Sequence, residues 1–138
     1  MHDLIIIGAG PAGITASVYA ARKKMDFSVI SKDIGGQAAW SGDIENYTGY
    51  QFITGPELAQ KFEEHMRKYN ISVKENAEVR EIKKINNIIS VTTNKDKYEA
   101  KTVIIASGKR SRELIIIAAG EGSKASLSAF GYLARHRF

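Results

Sequence analysis

The chain has 138 residues, a formal charge of +5, 43% hydrophobic and 25% charged side chains, and no cysteine. That length supports one domain around one core, and the missing cysteines exclude disulfides, thiolate metal sites and a thiol relay within the chain. Histidines 2, 65 and 136 are scattered without ligand spacing, no apolar run approaches the roughly 20 residues of a membrane span, and the basic residues interleave with acids or form short clusters lacking aromatics, so no metal, membrane or nucleic-acid partner is expected.

Met1-His2-Asp3 precedes the first apolar run without a basic region, which does not fit a signal peptide and leaves a cytoplasmic address as the expectation. Leu4-Ile5-Ile6-Ile7 reads as a strand buried on both faces. A helix is expected from Gly13 to about Lys23, then a second strand at Phe27-Ser28-Val29-Ile30. Strand, helix and strand in about thirty residues make a βαβ unit.

Residues 31–52 are polar and glycine-rich, with Gly35-Gly36-Gln37 and Asp43-Ile44-Glu45-Asn46-Tyr47. A loop of this length is usually functional or disordered, and Trp40, Tyr47, Tyr50 and Phe52 argue for order. Thr54-Gly55-Pro56-Glu57 is a helix start, with Thr54 as N-cap, proline in the first turn and Glu57 at the capping-box position. His65 falls on that helix with no partner acid nearby, so it reads as a surface or packed residue.

Short β-type runs follow at Ile71–Lys74, Val79–Ile85, Ile88–Thr93 and Lys97–Ala100, with turns at Asn86-Asn87 and Asn94-Lys95-Asp96. Thr102–Ala106 is another buried-type strand, ending in Ser107-Gly108. Near the C-terminus Ile115-Ile116-Ile117 looks like a strand and Ala118–Arg135 like a helix, and periodicity alone does not set the boundary.

The chemistry sits in the loops. Gly8-Ala9-Gly10-Pro11-Ala12-Gly13 is a G-x-G-x-x-G directly between a strand and a helix. Gly8 permits the tight turn, Gly10 lets backbone approach a pyrophosphate, and Gly13 lets helix and strand pack closely. Free N–H groups and the dipole at the helix N-terminus favour the anion. The bare pattern is weak evidence, but in this context it points to a dinucleotide. The acid that usually follows the second strand to hold the adenosine ribose is less clear: Asp33 lies twenty residues beyond Gly13, and Ser31 or Lys32 are alternatives.

Beyond that loop the motifs carry a family resemblance. Ile6-Ile7-Gly8-Ala9-Gly10-Pro11-Ala12-Gly13, Gly35-Gly36-Gln37, Ile44-Glu45-Asn46-Tyr47 and Ile53-Thr54-Gly55-Pro56-Glu57-Leu58 resemble the FAD domain of thioredoxin reductases and of the alkyl hydroperoxide reductase flavoprotein. Ile104-Ile105-Ala106-Ser107-Gly108 is similar to the family's second dinucleotide motif, and Ala118–Phe130 to its C-terminal flavin-facing helix. The resemblance implies an α/β, Rossmann-like FAD/NAD(P)-binding domain: a parallel sheet with a small antiparallel β-meander, and FAD as cofactor.

Carried onto this sequence, it implies that Gly8, Gly10, Pro11, Ala12 and Gly13 hold the pyrophosphate. Gly35, Gly36 and Gln37 would line the flavin-side phosphate and ribityl chain, and Asn46 would contact the flavin or ribityl hydroxyls. Glu78 and Val79 would meet the adenine through backbone groups, and Ala106, Ser107 and Gly108 would close over the cofactor. The last helix, entered at Leu114 and Ile115, would aim its N–H groups at the flavin; the family's usual glutamine there is Leu114. Gln37 and Asn46 also read as side chains satisfying their own loops.

The chain departs from the family in one respect. Arg112-Glu113-Leu114 runs directly into Ile115, where the family carries a nicotinamide-binding domain, a Cys-x-x-Cys pair and a Gly-Asp segment. Residues 1–138 therefore read as a single FAD-binding domain formed from parts 1–112 and 115–138, joined where that insertion is expected. Without a second glycine loop or thiol pair, no catalytic residue stands out. The alternatives are a minimal flavin-dependent NAD(P)H oxidoreductase and a non-catalytic, self-associating module, with a homodimer as candidate partner state. A simple NAD-binding Rossmann domain explains the first loop but not Gly35–Gln37, Asn46 or the last helix.

Overall fold

A computed structural model describes residues 1–108 and 115–135, with side chains described for 1–108 and 124–135. Among these residues, eight strands and three α-helices follow in the order β1 (His2–Ala9), α1 (Pro11–Arg22), β2 (Phe27–Ile34), a 3-10 turn (Gly36–Trp40), β3 (Asp43–Ile44), β4 (Ile53–Thr54), α2 (Gly55–Lys68), β5 (Val73–Lys74), β6 (Val79–Ile85), β7 (Ile88–Thr93), β8 (Lys97–Ile105) and α3 (Ile115–Arg135).

One six-stranded sheet runs β5-β2-β1-β8-β7-β6, and β3 pairs with β4 as a small antiparallel ribbon. The pairs β1–β2, β1–β8 and β2–β5 are parallel, whereas β8, β7 and β6 form an antiparallel meander. The fold class is the expected one. Central β1 has parallel neighbours on both sides, which is why its sequence is a continuous aliphatic run rather than an alternating one.

Alternation along β1 still sorts its side chains between two faces. Leu4 and Ile6 pack with Ile14, Ala16 and Ala20 of α1 and Met66 of α2. Ile5 and Ile7 pack instead with Ile30, Ala77, Val91 and Ala100 on the meander side. Leu4, Ile5 and Ile6 are fully buried, and each contributes roughly 1.5–3 kcal/mol through burial.

α3 lies against α1, with Ala125 and Ala129 packed on the helix-side core. The Lys23 ammonium sits 5.0 Å from the Phe130 ring centre and ties the C-terminal end of α1 to that helix.

Two sequence expectations are corrected. Lys97–Ala100 and Thr102–Ile105 form one strand, β8, with Ala106 just beyond its end, because Lys101 does not interrupt it: its ammonium meets Asp3 at 2.8 Å, and the Thr102 hydroxyl donates to the Asp3 carbonyl at 2.7 Å. Ile115–Ile117 is helix rather than strand; α3 begins at Ile115, and the low helix propensity of three β-branched residues is only a weak preference. The intervals Val79–Ile85 and Ile88–Thr93 match the expected strands. Leu114, expected at the site, lies outside the described residues.

Candidate functional site

β1 ends in the glycine loop, and the loop's backbone packing explains its composition. Gly8 has φ +102°, and a Cβ there would overlap the Ala106 carbonyl oxygen and come within 3.3 Å of the Ser107 N. The end of β8 therefore presses directly on the loop, and Ala106 N–H donates to the Ile7 carbonyl at 2.7 Å. A Cβ on Gly13 would overlap the Gly8 carbonyl oxygen, so Gly13 sets how closely α1 leaves β1.

Gly10 differs. Among the described residues a Cβ there would meet nothing nearer than 4.0 Å, the closest atoms belonging to Gly35 and Gly36. Gly36, at φ +53°, faces it, so that a Cβ on Gly36 would come within 3.2 Å of the Gly10 Cα. Two glycine backbones thus form a narrow slot at the head of α1. Protein packing explains Gly8 and Gly13; at Gly10 a Cβ would make only ordinary van der Waals contact with Gly35 and Gly36, so packing among the described residues does not demand glycine there.

The two helix starts make a useful contrast. α2 carries a complete capping box, in which the Thr54 hydroxyl accepts from Glu57 N–H and the Glu57 carboxylate accepts from Thr54 N–H at 3.0 Å. The Thr54 N–H bond foremost, and after it the Thr54 hydroxyl, which donates to the same carboxylate at 2.9 Å, hold the Glu57 carboxyl below its ordinary range. α1 also has proline in its first turn, but among the described residues no side chain caps it, and its first turn holds no acid. Its leading N–H groups are left for an anion.

Around the slot, Lys32, Asp33 and Gln37 are exposed, as are Ser107 and Gly108. Ser31 is not: at 7% exposure its hydroxyl accepts from Ala9 N–H at 3.0 Å and donates to the Asp33 carbonyl at 2.6 Å. In the segment before β6, Glu78 N–H donates to the Asn94 side-chain oxygen at 2.9 Å and the Glu78 carbonyl accepts from Asn94 N–H at 3.0 Å. The Glu78 N–H is therefore already used, and Val79 starts the β6 ladder opposite Thr93.

Asn46 is exposed and lines a concavity of about 500 Å³ formed by residues 45–51; a second, of about 400 Å³, lies among Phe52, Ile53, Glu57, Gln60 and Lys61. Neither is lined by the glycine loop. The structure thus brings Gly8, Gly10, Gly13, Gly35, Gly36, Ser31, Ala106 and Ser107 together, places Asn46 in its own concavity, and sets Ile115 at the start of α3.

Ala9 and Asn94 were not legible as site residues. Ala9 acts through its peptide groups alone, and Asn94 carries only the signature of a hairpin turn. Among the described residues no group of His, Asp or Glu is placed to hold a metal.

The sequence profile of the pyridine nucleotide-disulphide oxidoreductases matches residues 2–129. The chain belongs to that family. It is 39% identical to thioredoxin reductase of Bacillus subtilis over 83% of this chain and 36% of that protein. It is 41% identical to thioredoxin reductase of Ureaplasma parvum, over 85% of this chain and 38% of the relative. The solved thioredoxin reductase of Streptococcus pyogenes superposes with a TM-score of 0.76 at 45% identity, over 83% of this chain and 37% of that one. The chain therefore spans less than two fifths of the length of these relatives, and what it shares with them is the thioredoxin-reductase-like α/β fold around the glycine loop.

Proposed function

We propose that this chain is the FAD-binding module of a thioredoxin-reductase-type flavoprotein disulfide oxidoreductase. The observation that carries the reading is the Gly10–Gly36 slot at the uncapped N-terminus of α1. Pyrophosphate fits that slot chemically, because it needs close backbone approach, N–H donors and the positive end of a helix dipole, and all three converge there. Asp33 and Lys32, exposed at the end of β2, would serve the adenosine ribose, and Gln37 and Asn46 the flavin side. Val79 and the exposed Ser107 and Gly108 would flank the cofactor.

FAD supplies the electron-transfer chemistry when bound, and the chain's own residues hold and orient it. Disulfide reduction also needs a reductant site and an acceptor thiol pair, and this chain has no cysteine. Complete turnover would therefore draw on parts outside these residues. We take residues 1–138 as one domain, its parts 1–112 and 115–138 joined where the family resemblance places a nicotinamide-binding domain. The family match from residue 2 to 129 and the packing of α3 on α1 support this. A cytoplasmic location fits a chain in which no helix of the described residues is long and apolar enough to cross a membrane. The exposed side chains of Trp40, Phe52 and Ile105 favour self-association as a homodimer, which gel filtration with light scattering tests.

The cofactor test is direct. Purified protein, reconstituted with FAD and desalted, should retain a flavin absorption band at about one FAD per chain. Protein that stays colourless and leaves the fluorescence of added FAD unchanged would overturn the reading.

A further inference from the structure

We propose that Ser31 is a positioning residue: its hydroxyl sets the glycine loop against the adenosine side of the site without touching the ligand. The proposal rests on the FAD-binding reading and adds the division of labour within it. β1 and β2 pair in regular parallel register from Leu4↔Phe27 to Ile7↔Ile30, then slip so that Ala9 stands opposite Ile34. The slip leaves residues 31–33 without ladder positions at the point where the glycine loop begins.

Ser31 fills that gap with its side chain. Its hydroxyl takes the Ala9 N–H at 3.0 Å and gives its own proton to the Asp33 carbonyl at 2.6 Å, while Gly35 N–H donates to the Ala9 carbonyl at 2.7 Å. Both peptide groups of Ala9, which lies between Gly8 and Gly10, are thus held by the turn that carries Asp33, Gly35 and Gly36. The Ser31 carbonyl also accepts from Ala77 N–H at 3.0 Å, next to Glu78, which Asn94 clips in turn. One buried residue therefore joins the pyrophosphate slot, the ribose-side turn and the adenine-side segment.

At 7% exposure, with its proton committed to Asp33, the hydroxyl is closed to a ribose. Discrimination at the ribose then falls to the exposed Lys32 and Asp33 side chains, and Ser31 only places them.

ADP is the probe, because it carries the pyrophosphate, ribose and adenine without the flavin. Once FAD binding to the unaltered protein is established, Ser31→Ala should weaken ADP and FAD by about tenfold, the scale of one or two lost hydrogen bonds. Ser31→Thr should bind within about threefold of the original. The loss in Ser31→Ala should be the same for ADP as for 2′-deoxy-ADP and 3′-deoxy-ADP. A loss that disappears with a deoxy analogue would mean that the hydroxyl contacts the ribose, and the proposal fails.

Amide hydrogen exchange separates positioning from general weakening. In Ser31→Ala the Ala9 amide should exchange faster while the Ile6 amide stays protected; equal acceleration at both overturns the proposal. If Ser31→Ala does not fold, the unaltered protein decides: Ala9 should stay protected with and without ADP, and deprotection on ADP binding would show the hydroxyl leaving for the ligand. Failure of the original protein to bind FAD at all would instead defeat the functional reading, which these exchange rates leave separately visible.

Discussion

Gly36 faces Gly10 so closely that a Cβ on Gly36 would come within 3.2 Å of the Gly10 Cα, yet a Cβ on Gly10 would meet no described atom nearer than 4.0 Å. The asymmetry means that packing among the described residues presses on Gly36 and not on Gly10. Gly10 has φ −80° and ψ −173°, which any residue adopts. Gly10→Ala should therefore fold, losing under about 1 kcal/mol at the N-cap, while its methyl enters the room left for pyrophosphate and lowers FAD affinity about tenfold or more. A thermal melt beside a flavin fluorescence titration checks both halves; unchanged affinity would remove the slot from the site.

Gly13→Ala should do the reverse. The added methyl would overlap the Gly8 carbonyl oxygen, which is backbone and cannot rotate away. α1 would have to lift from β1, opening the core around Leu4, Ile6 and Ile14. A loss of about 3 kcal/mol or more is expected, read as a lower urea midpoint in the absence of cofactor. The two variants would thus separate a proposed binding role from a folding role three positions apart in one loop.

That distinction marks how far the sequence could be read. The glycine spacing between an aliphatic run and a helix marked the loop, and Gly8 and Gly13 each answer a steric demand that only glycine meets. Thr54 and Glu57 announced α2 because both halves of their reciprocal bond are side-chain groups with a fixed spacing. The role of Ser31 was not legible, since its partners are the Ala9 N–H and the Asp33 carbonyl, and backbone groups leave no trace in composition. β8 read as two pieces because its character changes along its length. Lys97–Ala100 pairs antiparallel with β7 and is half exposed, whereas Thr102–Ile105 pairs parallel with β1 and reads as a buried run.

Thr54→Ala should destabilise the fold by about 1 kcal/mol, lowering the melting temperature by roughly 3–6 °C in a chain of this size. The pH dependence has a definite sign. Bonds to Thr54 depress the Glu57 carboxyl in the folded state, so its contribution is present above the ordinary carboxylate range and fades as pH falls through the depressed folded value. Urea midpoints from pH 7 down to pH 3 should show a slightly smaller acid-induced fall in Thr54→Ala than in the original, because the hydroxyl's bond to the carboxylate leaves with the threonine while the backbone N–H bond, the larger cause, stays. An equal fall in the two proteins would assign the acid sensitivity elsewhere.

Asn94 holds the segment before β6, which the family resemblance assigns to the adenine. Its side-chain oxygen accepts from Glu78 N–H while its own N–H donates to the Glu78 carbonyl, closing a two-bond clip between the β7–β8 turn and the segment before β6. Lys95 reinforces the same contact, its ammonium reaching the Glu75 carbonyl at 3.3 Å. Asn94→Ala removes the side-chain bond and keeps the backbone one, so an exposed N–H returns to water and stability falls by only about 0.5–1 kcal/mol. The segment's position should suffer more than its stability. If residues 77–79 form the adenine wall, Asn94→Ala should weaken ADP severalfold and leave the affinity for ribityl-linked FMN, which lacks adenine, within about twofold. Asn94→Asp, which retains the acceptor, should restore ADP binding to near the original value. Equal losses for ADP and FMN would place the adenine elsewhere and leave the clip a structural brace of the meander alone.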